Sequence, residues 1–326
     1  MKVRTPAVFL LKTLPLFIVA CAALAQAQTY PGKPVRLVVP FPAGGPADAI
    51  ARMFGEKLAA MWNQPVVVEN RGGAGGNIGA ELVAKSAPNG YTLLINASSH
   101  VINASIYSKL PYDPIKDFTP VTEVASYMLV LVVHPSLPAR SVKEFVALAK
   151  SKPGQLIVAN AGRGTPTHLT AELFKIAARV DFVNVPYKGA APANVDLIGG
   201  QALAMFNNPI NALPQVAAGR LRALAVTGAK HLAIAPELPT IAESGYPGFE
   251  AGTWYGIFGP ANLPADIATK LHEDFVTVLR MRDIQEKLAA QGWDSIGNSP
   301  AEFAAIARSD LNKWANVVKA AGIKPE

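Results

Sequence analysis

A hydrophobic period that keeps switching along the chain constrains this sequence most. From Val35 onward, short β-branched runs alternate with helical stretches of roughly 10–15 residues. "VRLVVP" reads as a buried strand and "PADAIARMFGEKLAAMW" as an amphipathic helix. "PVVVEN", "GNIGAELVAKSA" and "YTLLIN" continue as strand, helix and strand. Strands joined by helices of that length need crossover connections, so the expectation is an α/β fold with a parallel sheet. The pattern restarts at "VLVVHP", then runs through the strand "QLIVAN", the turn "AGRGTP", the helix "THLTAELFKIAA" and the strands "DFVNVPY", "ALAMF" and "LRALAVTG". Two α/β halves are therefore expected, followed from Pro264 by a mostly helical tail. Trp62, Trp293 and Trp314 fall on or beside apolar helical faces and read as core. Two segments serve as crossings between halves, "VASYMLV" (124–130) and "YPGFEAGTW" (246–254). Two crossings make one domain discontinuous, residues 28–127 plus 249–326, around a second domain, 128–248, and create a hinge.

The first residues do not belong to that body. Lys2, Arg4 and Lys12 precede an apolar run from Leu14 to Leu24, and Ala25-Gln26-Ala27 supplies a small-x-small cleavage signal. Residues 1–27 read as a secretory signal peptide, so the mature chain is expected outside the cytoplasm. The one cysteine, Cys21, lies inside this leader. Ile18-Val19-Ala20-Cys21 also fits loosely a lipoprotein signal that would retain Cys21 as an anchor. The net charge is +7 for the whole chain. It falls to +4 once the three leader cations are removed. With no basic run and no aromatic-basic interleaving, nucleic acid is not expected as a partner.

Two turns match. Phe41-Pro42-Ala43-Gly44-Gly45-Pro46-Ala47-Asp48 and Asn160-Ala161-Gly162-Arg163-Gly164-Thr165-Pro166-Thr167-His168 each follow a strand, carry two glycines, and enter a helix through proline. Proline is at home in the first helical turn, where its missing N–H would have been unpaired. Glycine lets a guest approach the backbone, and the helix end adds partial positive charge, so each turn is a candidate anion cradle. Neither G-x-x-x-x-G-K-[ST] nor G-x-G-x-x-G is present, and no lysine follows either glycine pair. A carboxylate is then a simpler guest than a phosphate. "RGGAGGNIGA" is glycine-rich without dinucleotide spacing, and reads either as cleft lining or as plain helix entry.

Catalytic signatures are sparse. The five histidines, His100, His134, His168, His231 and His272, form no H-E-x-x-H, and neither C-x-x-C nor G-x-S-x-G occurs. No metal or cofactor is expected. Ser98, Ser99 and His100 follow "TLLIN", and His168 sits in a first helical turn, so an exported α/β enzyme using Ser98 or His168 stays open as an alternative.

The combination of "YPGKPVRLVVPFPAGGPAD", "VVVENRGGAGGNIGA", "PNGYTLL", "VPYKGAAPANVDLIGGQ", "AGRLRALAVTGAKH" and "PELPTIAESGYPGFE" resembles the periplasmic solute-binding receptors of tripartite tricarboxylate transporters, the TctC or Bug family. The resemblance covers nearly the full chain after the leader. It implies a two-lobed periplasmic-binding-protein (Venus-flytrap) fold of two Rossmann-like domains, monomeric, with no enzymatic activity. It further implies a small organic carboxylate in the cleft and delivery to membrane transporter subunits. A sensory co-receptor that passes the same ligand signal to a kinase remains an alternative. Carried onto this chain, the ligand loops are Phe41, Ala43, Gly44, Gly45, Ala47 and Asp48 on one side, and Gly162, Arg163, Gly164, Thr165 and His168 on the other. Ala97 and Ser98 follow "TLLIN", Asn207 and Asn208 follow "ALAMF", and Tyr187 stands in "PYKG". Three departures from the family pattern stand out. Ala47 lacks the threonine hydroxyl common there, Asn207 replaces a common aspartate, and Arg163 occupies a position usually small or apolar. Arg163 either faces the cleft, where it pairs with a second carboxylate, or is a solvated surface residue.

Overall fold

The structure, a computed structural model, describes residues 30–325. The expected leader and Cys21 lie outside the described residues. The chain begins β1 (Val35–Val39), α1 (Pro46–Trp62), β2 (Val66–Asn70), α2 (Asn77–Ala84), β3 (Thr92–Ala97) and α3 (Ser99–Ile106). β1 pairs with β2 and with β3 in parallel, as helical crossovers require. In α1 the apolar spacing of three and four buries Ile50, Ala51, Phe54, Leu58 and Trp62, while Arg52 and Glu56 face solvent.

β4 (Phe118–Met128) runs through Leu129 into β5 (Val130–Val133) of a second sheet. There follow α4 (Val142–Ser151), β6 (Ile157–Asn160), α5 (Pro166–Ala178), β7 (Val183–Pro186), α6 (Ala190–Ile198), β8 (Ala204–Asn207), α7 (Pro209–Ala217) and β9 (Arg222–Val226). β10 (Gly252–Pro260) returns to the first sheet, and α8 (Ala265–Leu279), α9 (Arg282–Ala289), β11 (Asp294–Ser295) and α10 (Pro300–Ala320) complete the chain. The strand orders are β11-β4-β10-β3-β1-β2 and β7-β6-β8-β5-β9.

The sheets are mixed rather than wholly parallel, which corrects the reading from period alone. β10 lies antiparallel between β3 and β4, and β5 lies antiparallel between β8 and β9. Each of these strands is the one that enters its sheet directly from the other half. No helical crossover precedes it, so nothing forces it to run parallel.

The helical tail also divides. α8 packs on α1 and β4 of the first sheet. α10 does so only through its first half, where Phe303 and Ala307 join the core that contains Trp254 and Phe258. Its second half carries Trp314, Val317 and Val318 into the core of the second sheet beside Phe145, Phe174 and Phe206. A helix of 21 residues is about 31 Å long, enough to reach both layers. Ile102 and Ile106 of α3 enter the same second-sheet core. Trp62 and Trp293 are buried in the first-sheet core. Among the described residues, no helix is long and apolar enough to cross a membrane.

Candidate ligand-binding site

The two glycine turns correspond from the residue before the cap onward once their helix starts are aligned. Gly45 and Thr165 are the N-caps, Pro46 and Pro166 the first helical residues, and Asp48 and His168 the third. Before each cap stands a glycine with positive φ, Gly44 at +83° and Gly164 at +73°. That conformation turns the preceding strand into the helix mouth, and a side chain would strain it. The same hydrogen bond braces both turns. Gly44 donates its N–H to Asp48 Oδ2 at 2.9 Å, and Gly164 donates its N–H to His168 Nδ1 at 3.3 Å. The braces occupy two of the amides that a guest could otherwise use. First-turn amides further in, at Ala47 on α1 and Thr167 on α5, have no carbonyl of their own helix four residues back.

Both turns open onto one cavity of about 500 Å³. Phe41, Ala43, Gly44, Gly45 and Ala47 line it from one side, and Arg163, Gly164 and Thr165 from the other. Ala97 borders it as well. The rest of the wall comes from α3, where Ser99, Asn103 and Tyr107 recur every fourth residue, and from Tyr127, Thr253 and Tyr255 on the two crossing strands. Gly164 is packed closely against α3: a Cβ placed on it would stand 3.2 Å from Ile106 Cγ1.

The other candidate residues stand behind this surface. Asp48 is buried and accepts from Arg52 and Asn70 as well as Gly44. Those donors, Arg52 foremost, hold its carboxyl below the usual range against the opposing effect of burial. Ser98 Oγ is paired with Thr253 Oγ1 at 2.7 Å. Gly162 donates its N–H to Asn160 Oδ1, and Tyr187 donates its hydroxyl to Asp196 Oδ2. Asn207 donates to Asn194 and accepts from the amide of Asn208. Asn208 caps α7 and also bonds the Tyr127 hydroxyl, so it touches the cavity floor through that tyrosine.

The Ser-His alternative finds little geometry. Both His100 ring nitrogens are taken, by Asn96 and by the Pro114 carbonyl, and burial lowers its pKa to about 4. Among the described residues, no group of histidines, cysteines and carboxylates is placed to hold a metal ion.

The sequence profile described as "Tripartite tricarboxylate transporter family receptor" matches residues 50–323. The chain belongs to that family. It is 37% identical over 319 residues to protein BugT of Bordetella pertussis, an alignment covering 97% of this chain and 98% of that one. Its fold is similar to that of the Rhodopseudomonas palustris protein Rpa4515 solved with adipate, with a TM-score of 0.81 at 37% identity, covering 91% of this chain and all of that one. MatC from R. palustris, solved with bound malate, gives a TM-score of 0.77 at 32% identity, covering 89% of this chain and all of that one. The family is one of periplasmic solute-binding receptors, not of enzymes.

In this TctC-family receptor the electrostatics of the cavity favour an anion. Among its lining residues, no aspartate or glutamate occurs and Arg163 is the one charged side chain. Burial pushes the Tyr127 and Tyr255 hydroxyls up, so both remain neutral, and they hydrogen-bond each other at the floor. Burial lowers the His168 pKa, which keeps its ring neutral and able to accept from Gly164. A second hollow, of about 560 Å³, shares Tyr127 and Thr253 with the first, but Glu123, Glu250, Asp294 and Asp310 line it. Lys230, His231 and Lys313 line it too, so its charge is mixed, unlike that of the first cavity. Sequence reasoning missed the aromatic floor, although a signal existed. Tyr127 and Thr253 fall inside the two crossings read from the sequence, and the strands that cross between the sheets line the cavity as well. The spacing of Ser99, Asn103 and Tyr107 was likewise legible as one face of a helix.

Proposed function

We propose that the mature chain is a periplasmic receptor that captures a small organic carboxylate between its two lobes and delivers it to membrane transporter subunits. One observation carries this reading: two strand-turn-helix mouths, one from each sheet, open onto a single cavity free of acidic side chains. Helix mouths with exposed amides favour negative charge. The class is a di- or tricarboxylate or an aromatic acid; two solved relatives support the dicarboxylate within it, since one holds adipate and the other malate. Of the described residues, 30–127 with 249–325 form one lobe and 128–248 the other, with Tyr127 and Thr253 at the pivot. α10 spans both and limits how far they separate. A ligand that touches both mouths stabilises the arrangement in which they face each other, and that differential contact shifts the population toward closure.

Thermal-shift measurements on the chain from Gln28, with succinate, malate, adipate, citrate, terephthalate and the neutral amide of each, test the reading. A ligand at about 100 times its Kd adds roughly 2.7 kcal/mol of stability. One acid raising Tm while its amide does not is the expected result. No shift from any acid, after unfolding, dialysis and refolding to remove a co-purified guest, refutes it. Unaltered uptake of that acid by cells lacking the receptor refutes the transport role and leaves sensing.

A further inference from the structure

We infer that the second hollow is a binding site for a small organic cation, held by Glu123 and Asp310. The hollow shares only Tyr127 and Thr253 with the carboxylate cavity, and the inference does not rest on the carboxylate reading. Its volume of about 560 Å³ suits a small-molecule guest. Glu123 on β4, Trp254 on β10 and Asp310 on α10 line it from the first sheet and the helix packed on it. Residues 228–233, which follow β9 of the second sheet, add to the wall.

The charges of this wall sort by depth. Lys230, His231, Glu250 and Asp294 are exposed, where water and salt screen them. Two of the three cations are also engaged elsewhere. His231 bonds Glu243 and the Pro236 carbonyl, and Lys313 donates to the Glu250 carbonyl at 2.8 Å while lying over the Trp314 ring. The interior is acidic. Glu123 is 5% exposed and accepts from Asn298 through Oε2, so its Oε1, with no donor among the described residues, is left to the hollow. Asp310 is partly buried and accepts from the Trp254 indole N–H at 2.8 Å. Among the described residues, neither carboxylate has a cation in ion-pair contact. Carboxylates removed from water and held only by neutral donors are costly, and a cation between them offsets that cost. Burial, with Asp310 adding to it, pushes the Glu123 carboxyl up to about 7. Burial, with Glu250 adding to it, raises that of Asp310, and Lys313 offsets this only in part. An inorganic ion does not fit, because no three histidines, cysteines or carboxylates converge among the described residues. An ammonium or guanidinium on a hydrocarbon body does fit. Its N–H groups meet the two carboxylates, and its body meets Trp254, Leu232 and Ile306.

The test titrates wild type, Glu123→Gln and Asp310→Asn calorimetrically with putrescine, agmatine, N,N′-diacetylputrescine and calcium chloride. Each variant keeps an oxygen that accepts from Asn298 or Trp254, so both should fold, and ligand-free Tm checks this. Saturable one-to-one binding of putrescine or agmatine by wild type is expected, with none of the diacetylated control. Each variant should weaken that binding about 10-fold or more, the scale of one charge-assisted contact. Wild-type binding should also tighten about 10-fold between about pH 6 and 8, as Glu123 passes from about one-tenth to about nine-tenths ionised. That dependence should vanish in Glu123→Gln. Its persistence there would place the titrating group elsewhere on the wall, at His231, Asp310 or a rim charge, and would overturn the role of Glu123. Failure of both amines to bind wild type overturns the inference. So does equal binding by wild type and both variants, or calcium binding as tight as that of the amines. Should one variant fail to fold, the other and the diacetylated control still decide. The response to acids in the thermal-shift screen is expected to be retained in both variants, so failure of this site and failure of the carboxylate reading are told apart.

Discussion

Placing one methyl group on Gly164 separates backbone strain from cleft geometry. Gly164 has φ +73°, where an L-residue costs about 1–2 kcal/mol. A Cβ there would lie 3.2 Å from Ile106 Cγ1 and 3.3 Å from Cγ2. Ile106 is 2% exposed and packed into the second-sheet core, so it has little room to yield. Overpacking of this kind costs about 1–3 kcal/mol. The strain acts on free and bound protein alike and lowers stability. The crowding opposes the approach of the α5 cradle to α3 and therefore lowers affinity. Gly164→Ala is expected to raise Kd for the tightest acid about 10-fold or more, at about 1.4 kcal/mol per factor of ten. Calorimetric titration of wild type, Gly164→Ala, Ile106→Ala and the double variant completes a thermodynamic cycle. Ile106→Ala removes both colliding carbons, so it should recover affinity in the Gly164→Ala background while the strain component of the Tm loss persists. Unchanged Kd in Gly164→Ala refutes the reasoning. An affinity loss that Ile106→Ala leaves untouched would refute it too, because strain shared by free and bound protein cannot change Kd.

Other consequences follow from the braces and buried acids. Asp48→Ala removes the acceptor for Gly44, Asn70 and Arg52 and should cost about 2 kcal/mol in urea unfolding, whereas Arg52→Ala, an exposed partner, should cost under about 1 kcal/mol. Equal losses would show that the ion pair rather than the brace matters. Glu123 is 5% exposed, and burial raises its carboxyl from 4.5 to about 7. Between those values the unfolded chain releases a proton that the folded chain keeps, so stability falls as pH rises through the window. Glu123→Gln should therefore stabilise by up to about 3 kcal/mol near pH 8 and by almost nothing near pH 4, read from urea midpoints. A pH-independent difference would reject the titration.

The parts of the fold that depend on local period were legible, and the parts that depend on how segments meet were not. The strand and helix of β1–α1 could be read because a short β-branched run is buried almost throughout in one and burial repeats every third or fourth residue in the other. The direction of β5 and β10 could not, because a crossing strand looks the same from either end. Nor could the division of α10, whose apolar stripe names a buried face without naming which core receives it. In the site, the glycine-proline turns announce themselves, since positive φ favours glycine and proline is favoured at the first helical position. Asp48 and His168 stood in the same motifs, yet only the folded coordinates show them turned back onto Gly44 and Gly164 rather than toward a guest. Tyr255 carries no local signature at all, because an aromatic residue at strand spacing is as easily core.

The matched braces make a last prediction, because the same position is filled by groups that titrate differently. Asp48 is an acceptor over the whole neutral range. His168 accepts only while its Nδ1 is unprotonated. Burial lowers the pKa of His168, with Arg163 and Lys175 adding to the effect and Glu172 opposing it. A histidine depressed in this way contributes stability that is complete above the unfolded value of about 6.5 and is lost as pH falls below it, until the folded ring also protonates. Over that acidic window the unfolded chain takes up a proton that the folded ring refuses, so stability falls while the brace on Gly164 stays made. His168→Gln keeps a carbonyl oxygen that can accept from Gly164 but cannot titrate. The expected outcome is a wild-type Tm that falls more steeply than that of His168→Gln between about pH 6.5 and 5, with the two parallel above about pH 7. Buried His100 titrates in both proteins and cancels from the comparison. If the two curves run parallel throughout, the acid sensitivity lies elsewhere, and the brace on Gly164 is not held by the ring nitrogen.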